Sequence, residues 1–489
     1  MKIKYLLVLL ALGYVCNAFG QLNNVTSALY DSYEKYQEST LAERRIKHSE
    51  LQPLIAKLKA VDEFTVAKVG ESIEGRSISL ISIGTGETDV FLWSQMHGNE
   101  PTATQAIFDI FNFLQSDDFV AEKKEMLAAL TLHFLPMLNP DGAENFQRRN
   151  TLGIDINRDA LQLQSPESRI LKRVRDSLQA DFGFNLHDQS TYYNAERTEK
   201  PATISYLAPA FNYEKDINTV RANAMKVIVY MNSIIQNYAP GQVGRYNDDF
   251  EPRAFGDNIQ KWGTSAILIE SGGYPNDIEK QEIRKLNYVS ILSALATIAN
   301  KSYMNIPVAD YEKIPENDRK LFDLKIEGVT YHLLGKDYRL DIGINRVEND
   351  FPGNKDFYVA GQIADQGDLS TYYGYETFDA NTYRLKEGKL VPEIIKSIDV
   401  LSKMDILQLL KSGYTHVRVE NVPNNIKHVT LPIHVVSANY KRRNLKLQPG
   451  ANATFLLEKE GEIRYAVMNG YLIDLTTGTS DFKNALMLK

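Results

Sequence analysis

Between residues 63 and 300, short apolar runs of β type alternate with longer stretches of helical periodicity, and this restricts the region to an α/β fold on a largely parallel sheet. The strand-like runs are Ser77 to Ile83, Val90 to Met96, Leu130 to Leu138, Phe182 to Leu186 and Ala266 to Ile269. The helical stretches lie near Thr102 to Leu114, Pro166 to Ala180, Asn218 to Tyr238 and Asp277 to Ala299. In open sheets of this kind ligands bind at the carboxyl edge of the strands, so chemistry is sought just past each apolar run.

The rest of the chain sets the boundaries. Residues 21 to about 60 read as a helical segment, with apolar residues recurring at three and four. The first domain thus spans 21–305, residues 306–320 read as a linker from Ile306-Pro307, Ile314-Pro315 and a charged string, and 321–489 read as one or two accessory β-rich modules. Within the last region a helical piece is expected from Pro392 to Leu410, and strands near Thr415 to Val419, His428 to Val436, Ala453 to Leu457 and Arg464 to Val467. With 43% apolar and 24% charged residues over 489 positions, the chain has material for one large core and a second, which excludes wholesale disorder and a multi-span membrane protein. A formal charge of −7 lacks the basic field of a nucleic-acid binder, so no nucleic-acid partner is expected.

Lys2 and Lys4, the uncharged run Tyr5 to Val15 and the small and polar residues to Gly20 have the layout of a secretory signal peptide over residues 1–20. The run is shorter than the roughly 20 apolar residues of a spanning helix, so no stable membrane insertion is expected after its removal. Secretion, or export to a bacterial periplasm or envelope, is the expectation, and lipid anchoring at Cys16 is the secondary one because the residues before it fit a lipobox-like pattern poorly. Cys16 is the sole cysteine, so there is no intramolecular disulfide and no thiolate metal site. A metal must be held by His, Asp or Glu.

Met96-His97-Gly98-Asn99-Glu100-Pro101 follows a strand-like run, and a tight turn there aims His97 and Glu100, three apart, at one point. Imidazole nitrogen and carboxylate oxygen suit zinc, although a His-x-x-Glu pair alone serves as readily at a surface or as a helix cap. His187 closes another apolar run, where a histidine is commonly structural; joined to His97 and Glu100 it makes two imidazoles and a carboxylate, a set that leaves a fourth position for water. Asp188 or Asp181 could orient an imidazole from behind. Glu270 ends the run Ile267-Leu268-Ile269 before Gly272-Gly273: either a buried ion pair or turn acceptor, or a general base taking a proton from zinc-bound water. Arg148-Arg149-Asn150 and Asp155-Ile156-Asn157-Arg158, after the turn Asn139-Pro140-Asp141-Gly142, supply cations for a carboxylate and an oxyanion, or a solvated surface cluster.

In their order along the chain these motifs resemble the zinc carboxypeptidases of the carboxypeptidase A type, over roughly residues 60 to 300. The resemblance implies a mixed, largely parallel eight-stranded sheet flanked by helices, one Zn2+ per chain on His97, Glu100 and His187, Arg148 polarising the scissile carbonyl, Asn157 and Arg158 gripping the substrate's terminal carboxylate, and Glu270 as the base. It also implies a mobile tyrosine that caps the substrate, for which Tyr246 is the nearest candidate, and a specificity pocket formed partly by Arg253 to Asp257. Asn99 departs from the arginine that archetypal members carry beside the metal pair. The expected function is a secreted zinc metallocarboxypeptidase that hydrolyses C-terminal bonds of peptides or proteins. Two rivals are a zinc amidohydrolase of cell-wall peptide stems or acylated amino acids, and an inactive carboxylate-binding homologue. His332, His416, His428 and His434 are scattered through the C-terminal region and read as packing or solvent residues.

Overall fold

The computed structural model describes residues 27–423, 426–441, 447–478 and 481–488. The expected signal peptide and Cys16 lie outside the described residues. The chain divides into two compact units, Met1–Arg319 and Lys320–Lys489.

The first unit is built on an eight-stranded mixed sheet. Its strands are β1 (Thr65–Glu71), β2 (Ser77–Gly84), β3 (Thr88–Ser94), β4 (Leu130–Leu135), β5 (Phe182–Asp188), β7 (Ile204–Leu207), β8 (Val243–Arg245) and β9 (Ser265–Ser271), ordered β1-β2-β4-β3-β5-β9-β7-β8; β6 (Asn194–Ala195) lies in a separate small pairing. The centre is parallel, β4 to β3, β3 to β5 and β5 to β9, whereas β1–β2, β2–β4 and β7–β9 pair antiparallel. Both faces are covered, which is why the central strands read as unbroken apolar runs. Successive residues of β3 serve opposite cores: Val90 and Leu92 pack with Ile107, Phe111, Ile228 and Leu286, and Phe91 and Trp93 pack with Ile170, Leu171, Phe255 and Ile259. Helices Thr102–Gln115, Thr219–Ile235 and Gln281–Ala299 supply the first core, and helices Pro166–Leu178 and Phe255–Lys261 the second.

Two expectations for this unit are corrected. The segment 21–60 is not helical throughout. Among the described residues it holds one α-helix of substantial length, His48–Lys59, behind 3-10 turns at Tyr33–Lys35 and Ser39–Leu41. Leu29, Tyr33, Tyr36, Leu41 and Ile46 are buried, so their spacing reflects an irregular segment docked on the core. The stretch 306–320 is not a free linker. Val308–Lys313 is a 3-10 helix with Tyr311 fully buried, the Tyr311 hydroxyl accepts from the Ala208 N–H at 3.0 Å, and the Arg245 N–H donates to the Pro315 carbonyl at 2.7 Å. Burial of one aromatic ring and backbone pairing on both sides tie it into the first unit.

The second unit is β-rich. One eight-stranded sheet includes Leu321–Leu333, Lys336–Asp350 and Phe357–Gly367; a five-stranded sheet includes Lys389–Ile395, Tyr414–Val419 and His434–Ser437. Each has its own apolar core, around Ile326, Ile342 and Phe455 in one and Val417, Val435 and Leu401 in the other. The helix expected from Pro392 to Leu410 is replaced by the strand Lys389–Ile395, paired in parallel with Tyr414–Val419, and by two short helices, Ile398–Leu401 and Ile406–Lys411. Val391, Ile394 and Ile395 are β-branched, and the Ser397 and Asp405 side chains cap each short helix by accepting from Val400 and Gln408 N–H groups. The run His428 to Val436 is likewise split into His428–Val429 and His434–Ser437.

Candidate metal centre and active site

Three chain segments meet at the carboxyl edge of the first unit's sheet. After β3 the backbone of buried Gln95 takes a left-handed turn (φ 51°), and the Gln95 side-chain nitrogen Nε2 donates to the Gly98 carbonyl at 2.9 Å. The Glu100 N–H donates to the His97 carbonyl (3.1 Å), which closes the turn and brings both side chains to one side. Gly98 is required by close approach: a Cβ there would lie 2.0 Å from the carbonyl carbon of Gly142. The Asn139-Pro140-Asp141-Gly142 turn is therefore the floor under the His97–Glu100 turn. Gly272, after Glu270, is explained in the same way, since a Cβ would sit 2.1 Å from the Ala202 carbonyl oxygen.

β5 and β9 end in register, with His187 opposite Glu270 and Asp188 opposite Ser271. This brings His187 to the His97–Glu100 turn. Nδ1 of His97 lies 3.1 Å from Nδ1 of His187 and 2.9 Å from Oε1 of Glu100, and Nδ1 of His187 lies 2.7 Å from Oε2 of Glu100. All three side chains are buried. On its far side His97 Nε2 lies 3.1 Å from Asp155 Oδ1, a pairing that assigns the proton to Nε2 and leaves the Nδ1 lone pair facing inward. Nε2 of His187 is buried without a hydrogen-bond partner among the described residues.

These donors fit a zinc ion. Two inward imidazole nitrogens and a carboxylate lie within 4.8 Å of one another. Bonds of about 2.0–2.1 Å in a tetrahedral arrangement need ligand atoms about 3.4 Å apart, a few tenths of an ångström from the spacing seen. Nitrogen and oxygen donors without thiolate suit Zn2+.

The remaining expected residues fall around this centre. Arg148, with its side chain 42% exposed, donates from Nη1 to His97 Nδ1 (3.0 Å) and Glu100 Oε1 (3.3 Å), and from Nε to Asp155 Oδ2 (3.0 Å). Asp155 also accepts from the Asn157 N–H at 3.0 Å, capping the 3-10 turn Ile156–Arg158. Asn157 Oδ1 accepts from the Phe255 N–H at 2.9 Å, which joins this turn to the segment expected to line a specificity pocket. Arg158 is exposed, 3.5 Å from Glu251 Oε2. Tyr246 is half-buried, its ring 6.0 Å from that of Tyr193, and burial together with the nearby Glu270 carboxylate pushes its phenol well above the ordinary value.

The charges interact strongly. Burial disfavours ionised Glu100, but His97 and His187 outweigh that and hold its carboxyl far below the usual range. Burial likewise opposes ionised Asp155, and His97 and Arg148 again prevail. Glu270 goes the other way: burial first, then Glu100 and Asp188, push its carboxyl well above the ordinary value. That divergence between neighbouring carboxylates is the pattern of a site with one acid group set for binding and another for proton transfer. Asp257, buried beside the Asn157 turn, is pushed up to about 7 by burial.

Two expectations about supporting groups are corrected. Neither Asp188 nor Asp181 orients an imidazole. Asp181 accepts from the Asp89 N–H, and Asp188 accepts from Thr102 and Lys280; Asp155 holds His97 instead. The signal was present in the Asp-x-Asn-Arg motif, since its first residue caps the turn that presents the other two. Lys280 and Tyr193 had no local signal.

The fold and this cluster define an α/β protein with a buried two-histidine, one-carboxylate centre at the sheet edge. More narrowly, residues 55–230 match the family model described as zinc carboxypeptidase, so this stretch of the chain is similar to that family. The match includes His97, Glu100, Arg148, Asn157, Arg158 and His187; Tyr246 and Glu270 lie beyond it. The chain is similar to carboxypeptidase E of Caenorhabditis elegans, 32% identical over 24% of this chain and 30% of that protein. It is also similar to carboxypeptidase 2 of Trichophyton tonsurans, 30% identical over 26% and 23% of the two chains, and to carboxypeptidase SOL1 of Arabidopsis thaliana, 29% identical over 31% and 36%. It thus spans no more than 36% of the length of these curated relatives. Among solved structures it is similar to a metallo-carboxypeptidase from Burkholderia cenocepacia, with a TM-score of 0.43, 16% identity and coverage of 52% of this chain and 69% of that one.

Proposed function

We propose that the protein is a zinc exopeptidase that removes C-terminal residues from peptides. The observation that carries the reading is the convergence of His97, Glu100 and His187, with Glu270 on the next strand end and Asp155 linking the same histidine to Arg148 and to the Asn157–Arg158 turn. Zinc held there would supply Lewis acidity and lower the pKa of water to about 7. Glu270 takes a proton from the attacking water and returns it to the leaving amine nitrogen. Its desolvated setting makes it basic enough for the first transfer and acidic enough for the second. Arg148 donates to the carbonyl oxygen as negative charge develops on it. Asn157 and Arg158 hold the terminal carboxylate, which fixes the distance from the chain end to the reacting carbonyl and selects last bonds over internal ones. Tyr246 covers the bound residue.

Matched peptides that differ only in a free-acid or amidated C-terminus test this reading, with a chelator control. Loss of one residue from the free acid, and slow cleavage of the amide, supports it; equal cleavage of both contradicts the carboxylate grip. Muropeptides in the same panel separate the cell-wall amidohydrolase. Export is proposed on the composition of residues 1–20 alone. Among the described residues no helix is long and apolar enough to cross a membrane.

A further inference from the structure

Lys280 is placed where a lysine is least expected. It is the residue before helix Gln281–Ala299, with left-handed backbone (φ 52°, ψ 34°) that a side chain with a Cβ adopts reluctantly. A cation at a helix N-terminus opposes the helix dipole. Its side chain is also buried, 8% exposed, where an unpaired ammonium is strongly disfavoured. Three unfavourable circumstances at one position call for a compensating role.

The ammonium makes two contacts that supply it. Nζ donates to Asp188 Oδ2 at 2.9 Å and to the Ser271 carbonyl at 3.0 Å. Asp188 follows His187, and Ser271 follows Glu270. The same Asp188 oxygen accepts from the Thr102 hydroxyl at 2.6 Å, and the Asp188 N–H donates to Glu100 Oε2 at 3.2 Å. Lys280 thereby joins the strand end bearing the proposed base to the strand end bearing one metal-binding residue, and through Asp188 to the start of the helix that follows the other two. Ser271 is held a second time, its hydroxyl accepting at 2.9 Å from Asn287 on the helix that Lys280 precedes. Ser271 and Asp188 are thus tied to the start of that helix, each one residue beyond the paired Glu270 and His187.

We propose that Lys280 is a positioning residue that sets Glu270 relative to His97, Glu100 and His187. The inference rests on the proposed exopeptidase reading and assigns Lys280 no contact with substrate. It places the effect on the chemical step and leaves binding of zinc and of the substrate's carboxylate to the other residues.

The test compares wild type with Lys280→Met, Thr102→Val and the double variant Lys280→Met/Asp188→Asn. The measurements are zinc per chain, affinity for a non-cleavable peptide analogue with a free carboxylate, and kcat and KM on the matching peptide. Lys280→Met is expected to keep one zinc per chain and analogue affinity within about two-fold, with kcat lowered at least about ten-fold at unchanged KM. Thr102→Val, which removes only a hydroxyl, gives a smaller fall of the same kind. If Lys280→Met does not fold because Asp188 is left buried and unpaired, the double variant removes both charges and is expected to fold, hold zinc and still turn over slowly. A folded Lys280 variant with kcat within two-fold of wild type overturns the inference. So does a parallel fall in zinc, analogue affinity and kcat, which marks a general structural role. An active wild type with indifferent variants refutes this inference alone; a wild type inert toward every peptide refutes the functional reading and this inference with it.

Discussion

Asp155 holds Nε2 of His97 at 3.1 Å while the other nitrogen of that ring faces Nδ1 of His187 at the same distance. One carboxylate thus decides which nitrogen of His97 is available to a metal, and it also anchors Arg148 and caps the Asn157 turn. Asp155→Asn removes the charge and frees the ring to take the wrong tautomer. Zinc affinity, measured by competition with a chelating dye, is expected to fall about 10- to 100-fold. An unchanged affinity would remove Asp155 from the centre's support.

In the proposed mechanism Glu270 carries a proton and makes no metal bond. Glu270→Gln keeps the shape of the strand end, so the variant is expected to retain full zinc content while kcat falls about 10²- to 10⁴-fold. Turnover near that of wild type would refute the base assignment.

The exposed Arg158 lies 3.5 Å from Glu251 Oε2, donates from Nη1 to the Asn157 carbonyl at 2.8 Å and also acts on the buried Asp257 carboxyl, so its cation sits beside the turn proposed to receive the substrate's anion. Arg158→Ala is expected to reduce kcat/KM roughly ten-fold on free-acid peptides and to leave amidated ones unchanged, as loss of a charge-assisted hydrogen bond dictates. Equal losses on both would place Arg158 outside the carboxylate grip.

Asp257 gives a pH signature separate from the metal. Its carboxyl is raised from an ordinary value near 3.8 to about 7 by burial, so between those values the folded state holds more protons than the unfolded chain. Stability from this group is present below the unfolded value and is lost as pH rises through about 7. Asp257→Asn keeps an oxygen to accept from the Glu251 N–H and cannot ionise. It is expected to raise the melting temperature by a few degrees at pH 8 and to change it little at pH 5. A stabilisation independent of pH would contradict the burial argument.

The cluster of His97, Glu100 and His187 was legible because each residue sits at or just past the end of an apolar strand, in a short stretch whose local pattern carries its own meaning. The central strands were legible for the same reason, since burial on both faces writes a continuous apolar run. β1 left no such trace because its residues, at the sheet's edge, are exposed or half-buried without regular alternation and none is fully buried. β7 and β8 are too short, at four and three residues, to show a period. The segment 27–47 misled because residues that dock on a core need no helix to recur at three and four. Lys280 was invisible because its partners, Asp188 and Ser271, adjoin it only through the register of β5 and β9 and the entry of the last long helix. Sequence spacing holds no record of such a contact.

X-ray absorption at the zinc edge, read together with metal content, reports on the His97, Glu100 and His187 centre itself. One zinc per chain is expected, with two imidazole nitrogens at about 2.0–2.1 Å, the remaining ligands oxygen, and loss of one imidazole or of the metal in His187→Ala. A wild type that binds no stoichiometric zinc, or a His187→Ala spectrum identical to that of wild type, would contradict it.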